Sequence, residues 1–139
     1  MAKMTKAERE AFLADLHVGV IAVERPDRAP LSVPIWYAYE PGGEVAIWTE
    51  IGSVKEKLIS AAGRFSITAQ VEQPPYRYVT AEGSVTGTEP ATADTVRPIA
   101  IRYFGEQEGA DFVEKNLGAN SIIIRMRPER WLSTDYSKE

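Results

Sequence analysis

A strand threonine followed by a serine and a lysine at the start of a helix is a pattern that can bind an anion. The run Trp48-Thr49-Glu50-Ile51-Gly52-Ser53-Val54-Lys55-Glu56-Lys57 has it. It reads as the end of a strand, a short turn and the start of a helix. The first N–H groups of a helix have no partner inside it, and the dipole is positive there, so phosphate is favoured. Ser53 is placed to cap the helix, and capping leaves the same free end that phosphate uses. Lys55 lies in the first turn, where a cation opposes the dipole unless an anion is near. Ser53, Val54 and Lys55, with Thr49 ahead and Lys57 behind, are the candidate anion residues. A small β-barrel holding a phosphorylated cofactor on its rim fits this order.

Other chemistries are poorly supplied. The chain has 139 residues, no cysteine and one histidine, His17. Disulfides, thiolate metal sites and cysteine nucleophiles are absent. A Ser-His-Asp triad would need His17, and no G-x-S-x-G turn accompanies it. No metal site is expected. Net charge is −4 with acidic and basic residues interleaved, which argues against nucleic acid. Hydrophobic content of 44% and charged content of 26% fit a soluble globular protein. The polar start Met-Ala-Lys-Met-Thr-Lys is no signal peptide, and no apolar run reaches membrane-spanning length. A cytoplasmic protein of one domain, residues 1–139, is expected.

The elements that must position the site follow from pattern. Thr5 to Glu8 fits a capping box opening a helix to about Leu16, with Phe12 and Leu16 on its buried face. His17 to Glu24 is a continuous apolar run that predicts a strand buried on both faces. Pro30 to Glu40 alternates, with Leu31, Val33, Ile35, Tyr37 and Tyr39 on one face. Pro34 cannot donate to a ladder, so this strand is edge-like or bulged there. A hairpin at Pro41-Gly42-Gly43 leads to a strand over Glu44 to Glu50. Ser53 to Glu56 fits a second capping box; its helix carries Val54, Leu58, Ile59, Ala61 and Ala62 on one stripe and stops at Gly63. Strands are predicted over Arg64 to Val71 and Tyr76 to Gly87, the latter bent at Gly83. Two helices follow, one carrying Val96, Ile99, Ala100, Tyr103 and Phe104, the other spanning Glu108 to Leu117. Strands at Ser121 to Arg127 and Arg130 to Thr134 close the chain. Six or seven strands with hairpins dominant predict a mainly β (α+β) antiparallel barrel with peripheral helices.

In this order the chain resembles the split β-barrel flavin and deazaflavin oxidoreductases, the pyridoxamine 5′-phosphate oxidase-like superfamily, and in particular its F420-dependent branch. The resemblance rests on Gly19-x-Ile21-Ala22, then Pro30-x-x-x-Pro34-Ile35-Trp36-Tyr37, then Thr49 with Ser53-x-Lys55, then Arg77-Tyr78-Val79 with Glu82-Gly83. It covers roughly residues 10–132. Ala22-Val23 stands where the family commonly has Ala-Thr or Thr-Thr, so a hydroxyl near the cofactor is missing. The resemblance implies a six- to seven-stranded antiparallel split β-barrel and a homodimer with the cofactor groove at its interface. It implies phosphate contact by Thr49, Ser53 and Lys55, and ring contact by the backbone of Val33, Pro34, Ile35 and Trp36. Lys57 and Arg64 could serve an F420 tail, and Arg77 is a further candidate.

The implied activity is hydride transfer from reduced F420 to a conjugated small-molecule substrate. FMN is the alternative cofactor. A binding or carrier module for a cofactor, haem or lipid on the same barrel is the alternative from another class. Trp36 and Tyr37 point to opposite faces of one strand, so one belongs to the core and the other to groove or partner. His17 is expected to pack or cap. No pair of carboxylates demands acid–base chemistry, no catalytic residue is assigned, and a proton could come from water or a tyrosine hydroxyl.

Overall fold

The structure, a computed structural model, describes residues 2–138. Its elements in chain order are α1 (Lys6–Ala14), β1 (Gly19–Val23), β2 (Leu31–Ile35), β3 (Tyr37–Ala38), β4 (Val45–Glu50), α2 (Val54–Ala62), β5 (Arg64–Val71), β6 (Arg77–Pro90), α3 (Ala93–Phe104), α4 (Glu106–Asn116), β7 (Ser121–Met126) and β8 (Arg130–Asp135), before a short 3₁₀ turn. The described residues form eight strands, because the segment expected as one strand over Pro30 to Glu40 breaks into β2 and β3.

That break explains the architecture. The strands run β2-β1-β5-β6-β7-β4-β3, with β8 also paired to β6, and every pairing is antiparallel. The two ends of this path, β2 and β3, are separated only by Trp36. At Trp36 the chain leaves β1, where Ile35 faces Gly19, and joins β4, where Tyr37 faces Ile47. The barrel therefore closes through a seam one residue wide. Pro34 lies on β2, which pairs with β1 alone, as a proline in a sheet requires.

β6 is the strand common to both halves. It meets β8 from Arg77↔Asp135 to Glu82↔Arg130, then meets β7 from Val85↔Met126 onward. At the handover the β7–β8 connection folds onto Gly83, where a Cβ would lie 1.9 Å from the Arg127 carbonyl oxygen. Only glycine permits that approach. The register shift between Val85 and Gly87 follows immediately.

Two cores result. The barrel interior holds Leu13, Ile21, Tyr37, Val45, Ile47, Ile67, Val79 and Met126, all buried. A second cluster joins Ala46 and Ile123 to Val96, Ile99, Ala100 and Val113 of α3 and α4. Gly109 lets α4 approach the Ile101 backbone, with 3.0 Å from a would-be Cβ to Cα.

Several expectations are corrected. β1 is not buried on both faces: Val20 is 38% exposed and Val18, just before the strand, 54%. The doubly buried strands are β4 and β7, which lie between the barrel interior and the helices. α1 stops at Ala14, and Leu16 is 62% exposed; Leu13 fills the buried face beside Phe12. The stop has a cause, since Arg102 donates to the carbonyls of Ala14 and Asp15 and so takes over the helix end. The Ser53 box is half formed, because the Glu56 carboxylate accepts from Gly52 N–H at 2.8 Å, not from Ser53. Val54 and Ala61 are exposed, leaving Leu58, Ile59 and Ala62 on the packed side of α2. Among the described residues no helix is long and apolar enough to cross a membrane.

Candidate functional site

A cavity of about 480 Å³ opens beside the seam. Val18, Pro34, Ile35 and Trp36 line one side, and the end of β4 contributes Trp48, Thr49 and Glu50. Lys55 comes from the first turn of α2, and Ile99, Phe112 and Asn116 from α3 and α4. The size suits a small-molecule site.

The polar end is built by the turn after β4. Gly52 takes a positive φ of 87°, which reverses the chain into α2. Thr49 is buried, and its Oγ1 lies 3.3 Å from Ser53 Oγ. Ser53 Oγ accepts from Glu56 N–H at 3.1 Å, so the serine caps the helix. Among the described residues, no hydrogen bond is made by the N–H groups of Val54 and Lys55. These two donors, the dipole and the Lys55 ammonium favour an anion. Two carboxylates, Glu50 and Glu56, flank this turn in the chain. Glu56 holds Gly52 N–H, and that contact with the Ser60 hydroxyl keeps its carboxyl below the usual range. Glu50 lines the cavity and accepts from Ser121 Oγ at 2.8 Å.

Another part of the lining is aromatic. The Trp36 ring stacks on Tyr103 with centroids 4.9 Å apart and planes at 12°. Phe104 meets Trp36 edge-on at 5.0 Å, and Phe112 lies 5.4 Å from Trp36 and 5.8 Å from Trp48. Each pair adds its own preference for offset or edge geometry. The cavity lining thus combines the aromatic side chains of Trp36, Trp48 and Phe112 with the polar residues Thr49, Glu50, Lys55 and Asn116.

No family model matches the chain, and no curated protein matches it in sequence. Solved structures do. A conserved hypothetical protein from Mycobacterium tuberculosis is 25% identical with a TM-score of 0.80, covering 97% of this chain and 87% of that one. An F420 reductase is 23% identical with a TM-score of 0.71, covering 88% and 94%. An FAD-binding protein from Mesorhizobium loti is 19% identical with a TM-score of 0.65, covering 95% and 93%. The chain has the split β-barrel fold of the pyridoxamine 5′-phosphate oxidase-like superfamily.

Within this split barrel the sequence-predicted residues fall into two groups. Pro34, Ile35, Trp36, Thr49 and Lys55 line the one cavity, and Ser53 adjoins it through Thr49. Val33, Val54, Lys57 and Arg77 are not in its lining. Val33 packs against the barrel core, Val54 is 63% exposed and Lys57 projects to solvent. Arg77 lies over the Phe12 ring at 5.3 Å, on the strand half paired with β8. Arg64 pairs with Glu24 at 2.5 Å beside a different cleft. Tyr37 is the core residue of the Trp36-Tyr37 pair and Trp36 the groove residue. His17 packs on Phe12 with centroids 4.5 Å apart, and its Nε2 lies 2.9 Å from the Phe12 carbonyl.

Trp48, Glu50, Ile99, Phe112 and Asn116 were not foreseen as lining residues. Trp48 carried a readable signal, since alternation from Val45, Ile47 and Thr49 puts it on the outer face of β4. The residues of α3 and α4 carried none, because their contact with β4 spans half the chain.

Proposed function

We propose that this split barrel is an oxidoreductase that binds F420 and reduces a conjugated small molecule. The observation that supports it best is the meeting of Thr49 and Lys55 with Pro34, Ile35 and Trp36 around one cavity. Thr49, Ser53, Lys55 and the free N–H groups of Val54 and Lys55 would hold the phosphate. The seam backbone and the aromatic wall would orient the ring. When bound, F420 supplies the hydride, and the chain's contribution is orientation and exclusion of water. Lys57 is the cation left to meet an extended anionic tail. FMN is the second reading, favoured by the Arg64–Glu24 ion pair, which withdraws the other cation that such a tail would use.

A homodimer is part of the same reading. On the outer sheet face Pro34, Val20, Thr68, Thr80 and Leu132 stand opposite one another across five strands. Val20 is 38% and Leu132 58% exposed, and the cavity opens beside Val18 and Pro34 on this face. A second copy covering it would also wall the cavity.

The test is a fluorescence titration of ligand-free protein with F420 and, separately, FMN, repeated with Lys55→Ala. Loss of one charged contact corresponds to roughly 10- to 100-fold in affinity. F420 binding that weakens by that factor supports the reading. Selective FMN binding moves the protein to the flavin reading. Binding of neither defeats both and leaves a carrier of another ligand.

A further inference from the structure

The seam creates an accounting problem, and one side chain resolves it. Where the chain changes partner at Trp36, the Tyr37 N–H donates to the Tyr103 hydroxyl oxygen at 3.2 Å. That hydroxyl donates in turn to the His17 carbonyl at 2.6 Å, just before β1 begins. Buried backbone groups must find partners, and here a hydroxyl from α3 serves strand ends on both sides of the seam. The preceding residue, Arg102, lies over the Tyr37 ring at 4.7 Å and caps α1. The last turn of α3 is thus bolted to the barrel at its narrowest joint.

The same tyrosine does something else. Its ring is nearly parallel to Trp36, and Trp36 lines the cavity. We propose that Tyr103 is the positioning residue of this site: its hydroxyl anchors α3 to the seam, and its ring fixes the plane of Trp36 against which a flat ligand stacks. Tyr103 itself is not in the cavity lining and acts through Trp36. The site then selects planar ring systems by a wall set before the ligand arrives. Pre-setting the wall avoids the ordering cost of a mobile indole.

The two duties can be separated. Tyr103→Phe keeps the ring and drops the hydroxyl; Tyr103→Leu drops both. The inference rests on the cofactor reading only for the choice of probes, F420 and FMN. Tyr103→Phe is expected to bind the better probe within about threefold of wild type, while melting at lower temperature. Tyr103→Leu is expected to lose roughly five- to tenfold in affinity, in the upper part of the roughly two- to twelvefold range of one aromatic pair. Rescue of binding by phenylalanine without rescue of stability is the signature of positioning. Affinity that follows stability through both variants, or wild-type affinity in Tyr103→Leu, overturns the proposal. If wild type binds neither probe, near-UV circular dichroism of the ligand-free protein decides. A tryptophan band kept in Tyr103→Phe, and lost alike in Tyr103→Leu and Trp36→Phe, supports the fixed plane. A band unchanged in Tyr103→Leu refutes it.

Discussion

Gly83→Ala should be among the most damaging single-methyl changes available in this barrel. The new Cβ would sit 1.9 Å from the Arg127 carbonyl oxygen, 2.9 Å from its carbon and 3.2 Å from the Glu129 nitrogen. All three are backbone atoms, so no rotamer change relieves the contact. The 127–129 connection would have to retreat by about 1.5 Å to reach ordinary contact distance. It is held down by Glu129 N–H to Glu82 O at 2.8 Å, Arg127 N–H to Ser84 O at 3.3 Å, and Ser84 N–H to Glu129 Oε1 at 2.6 Å. Losing two of these costs about 2 kcal/mol, and the residual overpacking adds about 1–3 kcal/mol. The expected total is about 3–5 kcal/mol, or a fall in Tm of roughly 10–20 °C for a chain of this size. Urea denaturation and thermal melting both read it. Gly87→Ala is the control, because its Cβ meets nothing within 4 Å. A Gly83→Ala loss below about 1 kcal/mol, or one equal to that of Gly87→Ala, would refute the close approach that lets β6 serve both halves.

Three further outcomes are expected. Ser53→Ala should cost about 1 kcal/mol through the lost cap and should also weaken phosphate-bearing ligands, read by melting with and without ligand. An affinity unchanged in this variant would separate capping from binding. Leu132→Glu should yield monomer by sedimentation if the apolar sheet face is the dimer contact, with little change in the melting of the monomer itself. Burial lowers the His17 pKa below its ordinary 6.5, and the charges of Arg102 and Arg77 act in the same direction. The unfolded state therefore binds the proton more readily in that window, so stability is full above about pH 6.5 and falls as pH drops through the folded-state value. His17→Phe, which keeps the stack on Phe12, should flatten that part of the profile; an unchanged profile would clear His17 of the effect.

Much of the barrel was legible because antiparallel strands with one covered face alternate. Ile35, Tyr37 and Tyr39 against Trp36 and Ala38 could be sorted without coordinates, and Pro34 announced an edge. β1 misled because an apolar run looks the same whether a helix layer covers its second face or the sheet leaves it open. Leu16 misled because helical spacing does not reveal that a distant Arg102 ends α1 before that turn forms. The site divided along the same line. Thr49, Ser53 and Lys55 are local in sequence and obey helix-end chemistry, so they could be found. Phe112 and Asn116 reach the cavity only through the α3–α4 hairpin, a tertiary contact with no local trace. Arg77 shows the converse: a strand pattern gives its face but not which end of a 14-residue strand meets the cavity.

The one-residue seam also constrains which changes of length the chain could tolerate. Side chains alternate without interruption from Ile35 to Tyr39, across the point where the strand changes neighbours. With Leu31 held on β1, deleting or inserting one residue between Leu31 and Trp36 would turn Trp36 inward and Tyr37 outward. The barrel would lose its largest fully buried side chain and the cavity its aromatic wall in a single event. Drift in length is therefore confined to turns such as 25–29 and 41–43, which carry neither duty. A lineage could remodel those loops freely, but it could not lengthen or shorten the seam to reshape the pocket without also dismantling the fold.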